Sequence, residues 1–227
     1  MSKLIESQVN FMSQTSWFSG LTDQHFENAD TLKDYGVHTV RQLLASGLSV
    51  REIVQSQILP VSGAMVANQA QVTSQILDFY THQGREYLPE LKRLALLDTP
   101  EGDATILKYC AEGIRLNGTF GLYREANKDT TIQDGEKTVQ VKAGDKIFVG
   151  FVEAAKDPSI FPEPSKVDIT RPLGSYLHYG VGPHECVGKG ASQVAIAAIL
   201  KTMVKLENLR PAPGPQGVLQ RIPRAGG

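Results

Sequence analysis

The first half of the chain has apolar residues at the three-to-four spacing of helices. This spacing predicts helices over 31–44 and 49–59, with Gly47 between them. Pro60, a residue favoured at a helix start, precedes a longer apolar pattern that predicts a helix over 61–80. Because its apolar residues are spread around most of its surface, we expect this long helix to be buried.

Two further helices are bounded by proline and glycine signals. Pro89 opens a predicted helix that extends to Leu97, and the segment 99–101, Thr-Pro-Glu, is a start signal for the next one. The pair Asn117-Gly118 is typical of a left-handed cap and predicts where that helix ends.

The pattern then changes to that of strands. Polar and apolar residues alternate over 138–141, a turn signal follows at 143–145, and 147–151 is a compact apolar run. Together they predict a β-hairpin within 131–151. Four prolines in the next segment predict an irregular meander over 157–178.

The rest of the chain is predicted to be a cysteine-containing loop over 179–188, a helix over 191–206 and an extended tail rich in Pro and Gly over 211–227. Residues 1–16 are a leader without a clear pattern. The chain, 1–227, therefore reads as one domain that is mainly α with a small β part, an α+β fold.

The loop 179–188 reads Tyr-Gly-Val-Gly-Pro-His-Glu-Cys-Val-Gly and places one cysteine, Cys186, just before an apolar helix. Its three glycines let the backbone pass close to a flat ring, and a helix N-terminus favours a thiolate. A thiolate is an axial ligand of heme iron that favours O–O cleavage. The alternative is an inert thiol in a turn.

Composition narrows the class of protein. The chain has 227 residues, 41% of them hydrophobic, and a formal net charge of −1, which fits a globular domain and gives no sign of nucleic-acid binding. Two cysteines, Cys110 and Cys186, are too few for a disulfide framework. We find no membrane-spanning apolar run and no signal peptide, so the expected location is cytoplasmic.

A second motif lies on the helix that ends at 117–118. Glu112 and Arg115 are three residues apart, share a helix face and can pair. Taken alone, such a pair is often a solvated surface contact of little energetic value.

These motifs resemble the heme-thiolate (cytochrome P-450) superfamily, whose loop pattern is Phe-Gly-x-Gly-x-His/Arg-x-Cys-x-Gly. Only Tyr179 departs from that pattern. The order of Glu-x-x-Arg, hairpin, meander and cysteine loop is also the order of that superfamily. The resemblance implies the C-terminal half of a P-450 fold, from the long distal helix through the cysteine loop to the following helix, with heme b as cofactor and Cys186 as the iron ligand.

The resemblance also implies roles for other residues. Arg171, in the meander, is expected to join Glu112 and Arg115 in locking the cysteine loop. His184 and Arg124 are expected to bind the heme propionates, although Arg124 could equally be a surface charge.

Two glycines of the loop, Gly182 and Gly188, are expected to lie against the cofactor.

The distal helix departs from oxygen-activating members of the superfamily, which carry an acid–alcohol pair there. In the segment 67–71, Ala-Asn-Gln-Ala-Gln, Ala70 stands for the acid and Gln71 for the alcohol, so the usual proton relay is absent. Asn68 and Gln71 instead offer two amides on one helix face, which suits orienting a hydroperoxide. The alternative is that these amides only satisfy packing partners.

The same segments look like one fungal family, the C-terminal domain of linoleate diol synthases, or psi-factor-producing oxygenases, from about Trp17 onward. That resemblance implies an N-terminal peroxidase-like dioxygenase domain that makes a hydroperoxy unsaturated fatty acid. The heme-thiolate domain then isomerises it to a dihydroxy fatty acid in oxylipin biosynthesis. The dioxygenase domain, the early helices and the substrate lid are not in this sequence, so we expect a truncated chain.

Two other hypotheses remain open at this point. The first is a conventional monooxygenase that depends on a reductase, which shares the loop but needs the missing relay. The second is a truncated remnant that binds no heme or binds it without turnover.

Overall fold

The computed structural model describes residues 35–221. The sequence predictions for 1–34 and for 222–227 lie outside the described residues. The chain divides into two compact units, and the boundary falls between Asn68 and Gln69.

The described part of the first unit is helical. It consists of helix α1 (Tyr35–Ala45), helix α2 (Val50–Glu52), a π-helical turn (Ile53–Ile58), helix α3 (Leu59–Gly63) and a second π-helical turn (Ala64–Asn68). Ser49 and Glu52 form a capping box in which each side chain accepts from the other residue's backbone N–H, so the helical run begins where predicted. Val37, Val40 and Val54 form the buried cluster of this unit.

The second unit contains four longer helices, four strands and one short helix. They are helix α4 (Gln69–Thr81), helix α5 (Leu88–Leu97), helix α6 (Pro100–Asn117), strands β1 (Gly121–Glu125), β2 (Thr130–Asp134), β3 (Lys137–Val141) and β4 (Lys146–Gly150), helix α7 (Phe151–Ala154) and helix α8 (Lys189–Val204). Short 3-10 turns lie at Arg85–Tyr87, Leu173–Ser175, Gly182–His184 and Gly214–Gly217. The mainly α fold with a small β part is confirmed.

Helix α6 is the centre of this unit, because it packs against α4, α5 and α8. The apolar core between these helices includes Ile76, Leu91, Ile106 and Leu200, each at most 2% exposed. Tyr80 is fully buried among them, and its hydroxyl donates to the backbone carbonyl of Tyr109 (2.6 Å), so its polar atom is satisfied.

The ends of α6 explain its length. Thr99 caps the start, where its Oγ1 accepts from the N–H of Gly102 (3.2 Å), and Pro100 occupies the first turn. The predicted left-handed cap at Gly118 is wrong, since Gly118 has an extended conformation (φ −70°). A glycine is needed there because a Cβ would lie 2.3 Å from the carbonyl oxygen of Ile114. The left-handed cap belongs to α5, at Asp98 (φ 52°).

The predicted hairpin within 131–151 is wrong in its pairing. Strand β3 pairs antiparallel with β2, and β4 pairs antiparallel with β1, so the two predicted partners lie in different two-stranded sheets. Gly135 (φ +58°) is the first residue of the two-residue Gly135-Glu136 turn that closes the tight β2–β3 hairpin. The turn at 143–145 continues the other ladder, because Gly144 donates to the carbonyl of Ala126 (2.8 Å).

The expectation that the whole 61–80 helix is buried is also wrong. Met65 and Val66 are 58% and 72% exposed, and the first buried side chain along this run is Val72. From Val72 onward the helix α4 faces α6 and α8. An apolar surface all around a helix is buried only where another element meets it.

The remaining predictions agree more closely with the structure. Residues 157–178 are irregular apart from one 3-10 turn, and helix α8 begins at Lys189 and ends at Val204. The tail is interrupted by the turn Gly214–Gly217. Among the described residues, the structure contains no helix that is long and apolar enough to span a membrane.

Candidate functional site at the cysteine loop

The loop before α8 holds Cys186 in an exposed position. The N–H of Cys186 donates to the carbonyl of Tyr179 (2.8 Å), which closes the loop, and its carbonyl accepts from Lys189 (3.1 Å), the first residue of α8. The thiol is free and exposed, in contrast to Cys110, which lies in the core and whose pKa is raised by burial.

Two glycines give the loop its shape. Gly180 and Gly182 have φ angles of +72° and +65°, which other residues adopt only with strain. At Gly180 a Cβ would also lie 3.2 Å from the carbonyl oxygen of His184, while Gly182 has open space around it. A Cβ at Gly188 would lie 3.7 Å from the sulfur of Cys186.

A buried ion-pair centre lies on α6, at the predicted Glu-x-x-Arg motif. The carboxylate of Glu112 accepts from Nε (2.9 Å) and Nη2 (2.7 Å) of Arg115, and both side chains have no exposed area. Arg115 also donates to the backbone carbonyls of Ala155, Pro164 and Lys166, so it anchors the meander to the helix.

Arg171 joins this centre as predicted. Its Nε lies 3.5 Å from Glu112 Oε1, which is an ion pair rather than a hydrogen bond, and its Nη2 donates to the carbonyl of Pro162 (2.7 Å). The guanidinium carbons of Arg115 and Arg171 lie 5.4 and 5.5 Å from the ring centroid of Phe161, which is within cation–π range. The structure therefore brings Glu112, Arg115 and Arg171 together.

Tyr176 extends this centre toward the loop. Its hydroxyl donates to Glu112 Oε1 (2.7 Å), and burial together with this bond raises its pKa. Its ring contacts His178, with centroids 5.9 Å apart, and His178 in turn lies 4.6 Å from the ring of Tyr179. Burial, and then the charge of Lys189, lower the pKa of His178 to about 4, so this imidazole is neutral at neutral pH.

The two predicted propionate ligands are both exposed. His184 lies in the 3-10 turn of the loop, and Arg124 lies on strand β1, where its Nη1 donates to the carbonyl of Tyr123 (3.1 Å). Among the described residues, neither side chain is hydrogen-bonded to a buried partner, so both roles stay predictions.

The amide residues are placed differently from one another. Asn68 is exposed at the end of the π-helical turn Ala64–Asn68, in the first unit. Gln71 is exposed on the first turn of α4, where its Nε2 donates to Oγ1 of Thr119 (3.2 Å). Gln75, one turn later and buried, donates to the same oxygen (2.7 Å). Thr119 thus holds a pair of glutamine amides just beyond the end of α6.

The residues of the loop fit a heme group. The sulfur of Cys186 is free and exposed, and a cysteine sulfur is a ligand that can hold heme iron. The apolar residues of the loop, Val181 and Val187, are 64% and 100% exposed, as an apolar ring lying on the loop requires. The two left-handed glycines keep this surface free of further side chains.

Comparison with known proteins agrees with the resemblance to the heme-thiolate superfamily. The family model described as Cytochrome P450 matches residues 108–220. The chain is 46% identical, over 100% of its length, to a bifunctional dioxygenase (DOX)-epoxy alcohol synthase (EAS) from Pyricularia oryzae. It is 42% identical, over 100% of its length, to a linoleate 10R-lipoxygenase from Aspergillus fumigatus, and 36% identical, over 86% of its length, to a linoleate diol synthase from Gaeumannomyces graminis.

The chain spans only 20%, 20% and 19% of the length of these three relatives. Among solved structures it is similar to CalO2, with a TM-score of 0.70 and 16% identity over 97% of this chain and 48% of that one. It is also similar to P450BioI in complex with an acyl carrier protein ligated to hexadec-9Z-enoic acid, with a TM-score of 0.65 and 20% identity over 89% of this chain and 45% of that one. At these identities the two structures show the fold alone.

Several residues of the site were missed by sequence reasoning. Tyr176 and the backbone N–H of Asp168 both donate to Glu112, and no local pattern marks either of them. Gln75 could have been found, since it lies four residues after Gln71 and therefore on the same helix face. Thr119 could not, because it meets these amides only through the packing of α4 on α6.

Proposed function

This chain belongs to the cytochrome P450 family, and we propose that it isomerises a hydroperoxide of an unsaturated fatty acid to a dihydroxy fatty acid. The observation that carries the proposal is the pairing of an exposed, rigidly held Cys186 with a helix that offers the amide of Gln71 where an acid–alcohol relay would be needed for dioxygen. The names of the relatives at 36–46% identity support this class of substrate.

In this proposal heme b is the cofactor and Cys186 is its thiolate ligand. When bound, the heme supplies iron chemistry that cleaves an O–O bond. His184 and Arg124, both exposed and cationic or able to donate, would bind its propionates. Gly182 and Gly188 would leave room for the ring beside the sulfur.

Gln71 is proposed to orient the substrate. Because its Nε2 donates to Thr119, the acceptor end of the amide is its Oε1, which suits the O–H of a hydroperoxide. Asn68 is proposed as a second amide for the same task. An amide has no proton to give near neutral pH, so this arrangement favours a substrate that already carries both of its oxygen atoms.

The reaction balances without an added reductant. One O–O bond breaks, both oxygens stay on the carbon chain, and the product is an isomer of the hydroperoxide. The Glu112 centre does no chemistry in this scheme. Its charge network and Tyr176 hold the loop that presents Cys186.

A second candidate is favoured by one specific observation. Two relatives, from Pyricularia oryzae at 46% identity and from Fusarium oxysporum at 48%, carry the name epoxy alcohol synthase. An epoxy alcohol is also an isomer of the hydroperoxide, so the same residues serve either outcome. Because the chain spans about a fifth of its relatives, we further propose that a separate dioxygenase domain supplies the hydroperoxide.

The test is an anaerobic incubation of the heme-loaded chain with hydroperoxy-linoleate and no reductant, with products identified by mass spectrometry. We expect the hydroperoxide to disappear and a diol or an epoxy alcohol of unchanged mass to form, and we expect neither with Cys186→Ser. A chain that shows a thiolate-type spectrum after reduction and carbon monoxide, yet leaves the hydroperoxide intact, contradicts the proposal. Turnover that requires NADPH, a reductase and oxygen would identify a conventional monooxygenase instead.

A further inference from the structure

Tyr179 holds the cysteine loop at two points. Its backbone carbonyl accepts from the N–H of Cys186 (2.8 Å), and its hydroxyl donates to Oγ of Ser192 on α8 (2.9 Å). The hydroxyl is the group that distinguishes Tyr179 from the phenylalanine of the family pattern. The departure at this position therefore adds one specific bond.

The bond continues into a chain of three side chains. Oγ of Ser192 donates to Oε1 of Gln69 (2.8 Å), at the start of helix α4. Each group has the role its chemistry allows, because tyrosine donates, serine accepts one bond and donates one, and the amide oxygen accepts. Burial raises the pKa of Tyr179, so its hydroxyl remains a donor at neutral pH.

The far end of this chain is the helix turn that carries Gln71. In the first turn of α4, residues 69–71 have no buried side chain, and the first buried residue is Val72. Two side chains of this turn bond to other elements: Gln69 accepts from Ser192, and Gln71 donates to Thr119. Polar bonds, more than apolar packing, therefore set the position of this turn.

The near end of the chain meets the ion-pair centre. The ring of Tyr179 lies 4.6 Å from that of His178, His178 contacts Tyr176, and the hydroxyl of Tyr176 donates to Glu112. Tyr179 therefore contacts both sets of side chains: its ring contacts His178 on the side of the Glu112 centre of α6, and its hydroxyl bonds to Ser192 on the side of Gln69 of α4.

We propose that Tyr179, Ser192 and Gln69 form a hydrogen-bonded tie that fixes the Cys186 loop relative to the first turn of α4. Tyr179 is then a positioning residue: it acts through Cys186 and through the turn that carries Gln71. The inference rests on the proposed ligation of heme by Cys186 and on the proposed role of Gln71 in orienting the hydroperoxide.

The test compares Tyr179→Phe and Ser192→Ala with two matched controls in the heme-loaded chain. Ser192→Thr keeps the hydroxyl, and Thr202→Ala removes an exposed hydroxyl of α8 that donates to the carbonyl of Ala198 (2.8 Å), away from the tie. Since a neutral hydrogen bond is worth about a 3- to 10-fold change in an equilibrium, we expect kcat for hydroperoxide isomerisation to fall by about that factor in Tyr179→Phe and Ser192→Ala. We expect KM to stay within about twofold, and both controls to behave like the wild type.

Two readouts do not depend on activity. In the heme-free chain, hydrogen exchange should become faster at the N–H of Cys186 and at residues 69–71 together in Tyr179→Phe, and not in Thr202→Ala. In the heme-loaded chain, the thiolate-type share of the reduced carbon-monoxide spectrum should fall in Tyr179→Phe and be retained in Ser192→Thr. The double variant Tyr179→Phe/Ser192→Ala should be no worse than either single variant, because the chain is already broken.

The outcomes separate this inference from the proposed function. If the wild type leaves the hydroperoxide intact, the proposed function is wrong, and the exchange and spectral results still decide whether the tie exists. If the wild type turns over and Tyr179→Phe matches it in kcat, spectrum and exchange, the tie is refuted alone. Additive losses in the double variant would also refute it, since they would show two independent contacts.

Discussion

Replacing Glu112 with glutamine removes the negative charge that two buried guanidinium groups share. Each carboxylate oxygen accepts two donors: Oε1 takes Nε of Arg115 (2.9 Å) and the hydroxyl of Tyr176 (2.7 Å), and Oε2 takes Nη2 of Arg115 (2.7 Å) and the N–H of Asp168 (3.0 Å). In glutamine one of these oxygens is replaced by an amide nitrogen, which is itself a donor. The two donors that bonded to that oxygen then have no acceptor. Arg115 also loses its counter-charge in a site from which water is excluded, and Arg171 keeps only Asp168, whose Oδ2 lies 3.8 Å from its Nε.

Breaking a buried ion pair by neutralising one partner costs about 3–5 kcal/mol of unfolding free energy. At about 2–4 °C per kcal/mol for a chain of this size, Glu112→Gln should lower the melting temperature of the heme-free chain by about 6–20 °C. Far-UV circular dichroism on heating and urea titration measure both quantities.

The chain contains its own control for this experiment. Glu90 and Arg93, on α5, have the same Glu-x-x-Arg spacing and the same two-bond geometry, with both distances 2.7 Å. Their side chains are 43% and 57% exposed, so Glu90→Gln should leave the melting temperature unchanged within error. Equal, small shifts in Glu112→Gln and Glu90→Gln would refute the reasoning that the buried centre supports the meander. Failure of Glu112→Gln to fold, with Glu90→Gln folded, would be the extreme form of the expected result.

Two further predictions concern pH and the loop glycines. The pKa of His178 is lowered from 6.5 to about 4, so the unfolded chain binds this proton more readily than the folded chain, and the unfolding free energy should fall by up to about 3 kcal/mol as the pH drops from 6.5 to about 4. In His178→Gln, urea titrations at each pH should show a smaller loss of unfolding free energy in acid. An identical dependence of unfolding free energy on pH in both proteins would contradict this. Gly182→Ala should cost roughly 1–2 kcal/mol of loop stability from its positive φ alone. Gly180→Ala should retain less heme than Gly182→Ala in a dialysis assay, because a Cβ at position 180 also meets the carbonyl oxygen of His184. The reverse order of heme retention would contradict a role for this contact.

The sequence and its family resemblance predicted the order of motifs and the three members of the ion-pair centre. They did not predict the burial that makes this centre important for stability. Glu90 and Arg93 have the same spacing as Glu112 and Arg115. Only the packing of α6 against three other helices buries one pair and leaves the other in solvent. Spacing along a helix fixes which side chains can meet, whereas burial depends on elements far away in sequence.

Strand pairing likewise depends partly on local sequence patterns and partly on residues far away in sequence. Alternation over 138–141 and an apolar run over 147–151 identified two real strands, and a turn signal between them favoured pairing the two. The two-residue turn Gly135-Glu136 joins β3 to its actual partner, β2, and a glycine at its first position is typical of a tight hairpin. The partner of β4 is β1, more than twenty residues earlier, and no local pattern could select it.

The hydrogen bonds that we propose to place Cys186 lie in the second unit. Tyr176 donates to Glu112 on α6, and the hydroxyl of Tyr179 donates to Ser192, which in turn donates to Gln69. These are bonds between half-buried or buried polar groups, so they constrain distance and direction more sharply than apolar contacts do. Asn68, in contrast, belongs to the first unit. We therefore expect a variant at Asn68, the second proposed substrate amide, to alter turnover while leaving unchanged the thiolate-type spectrum that reports on the proposed ligand Cys186.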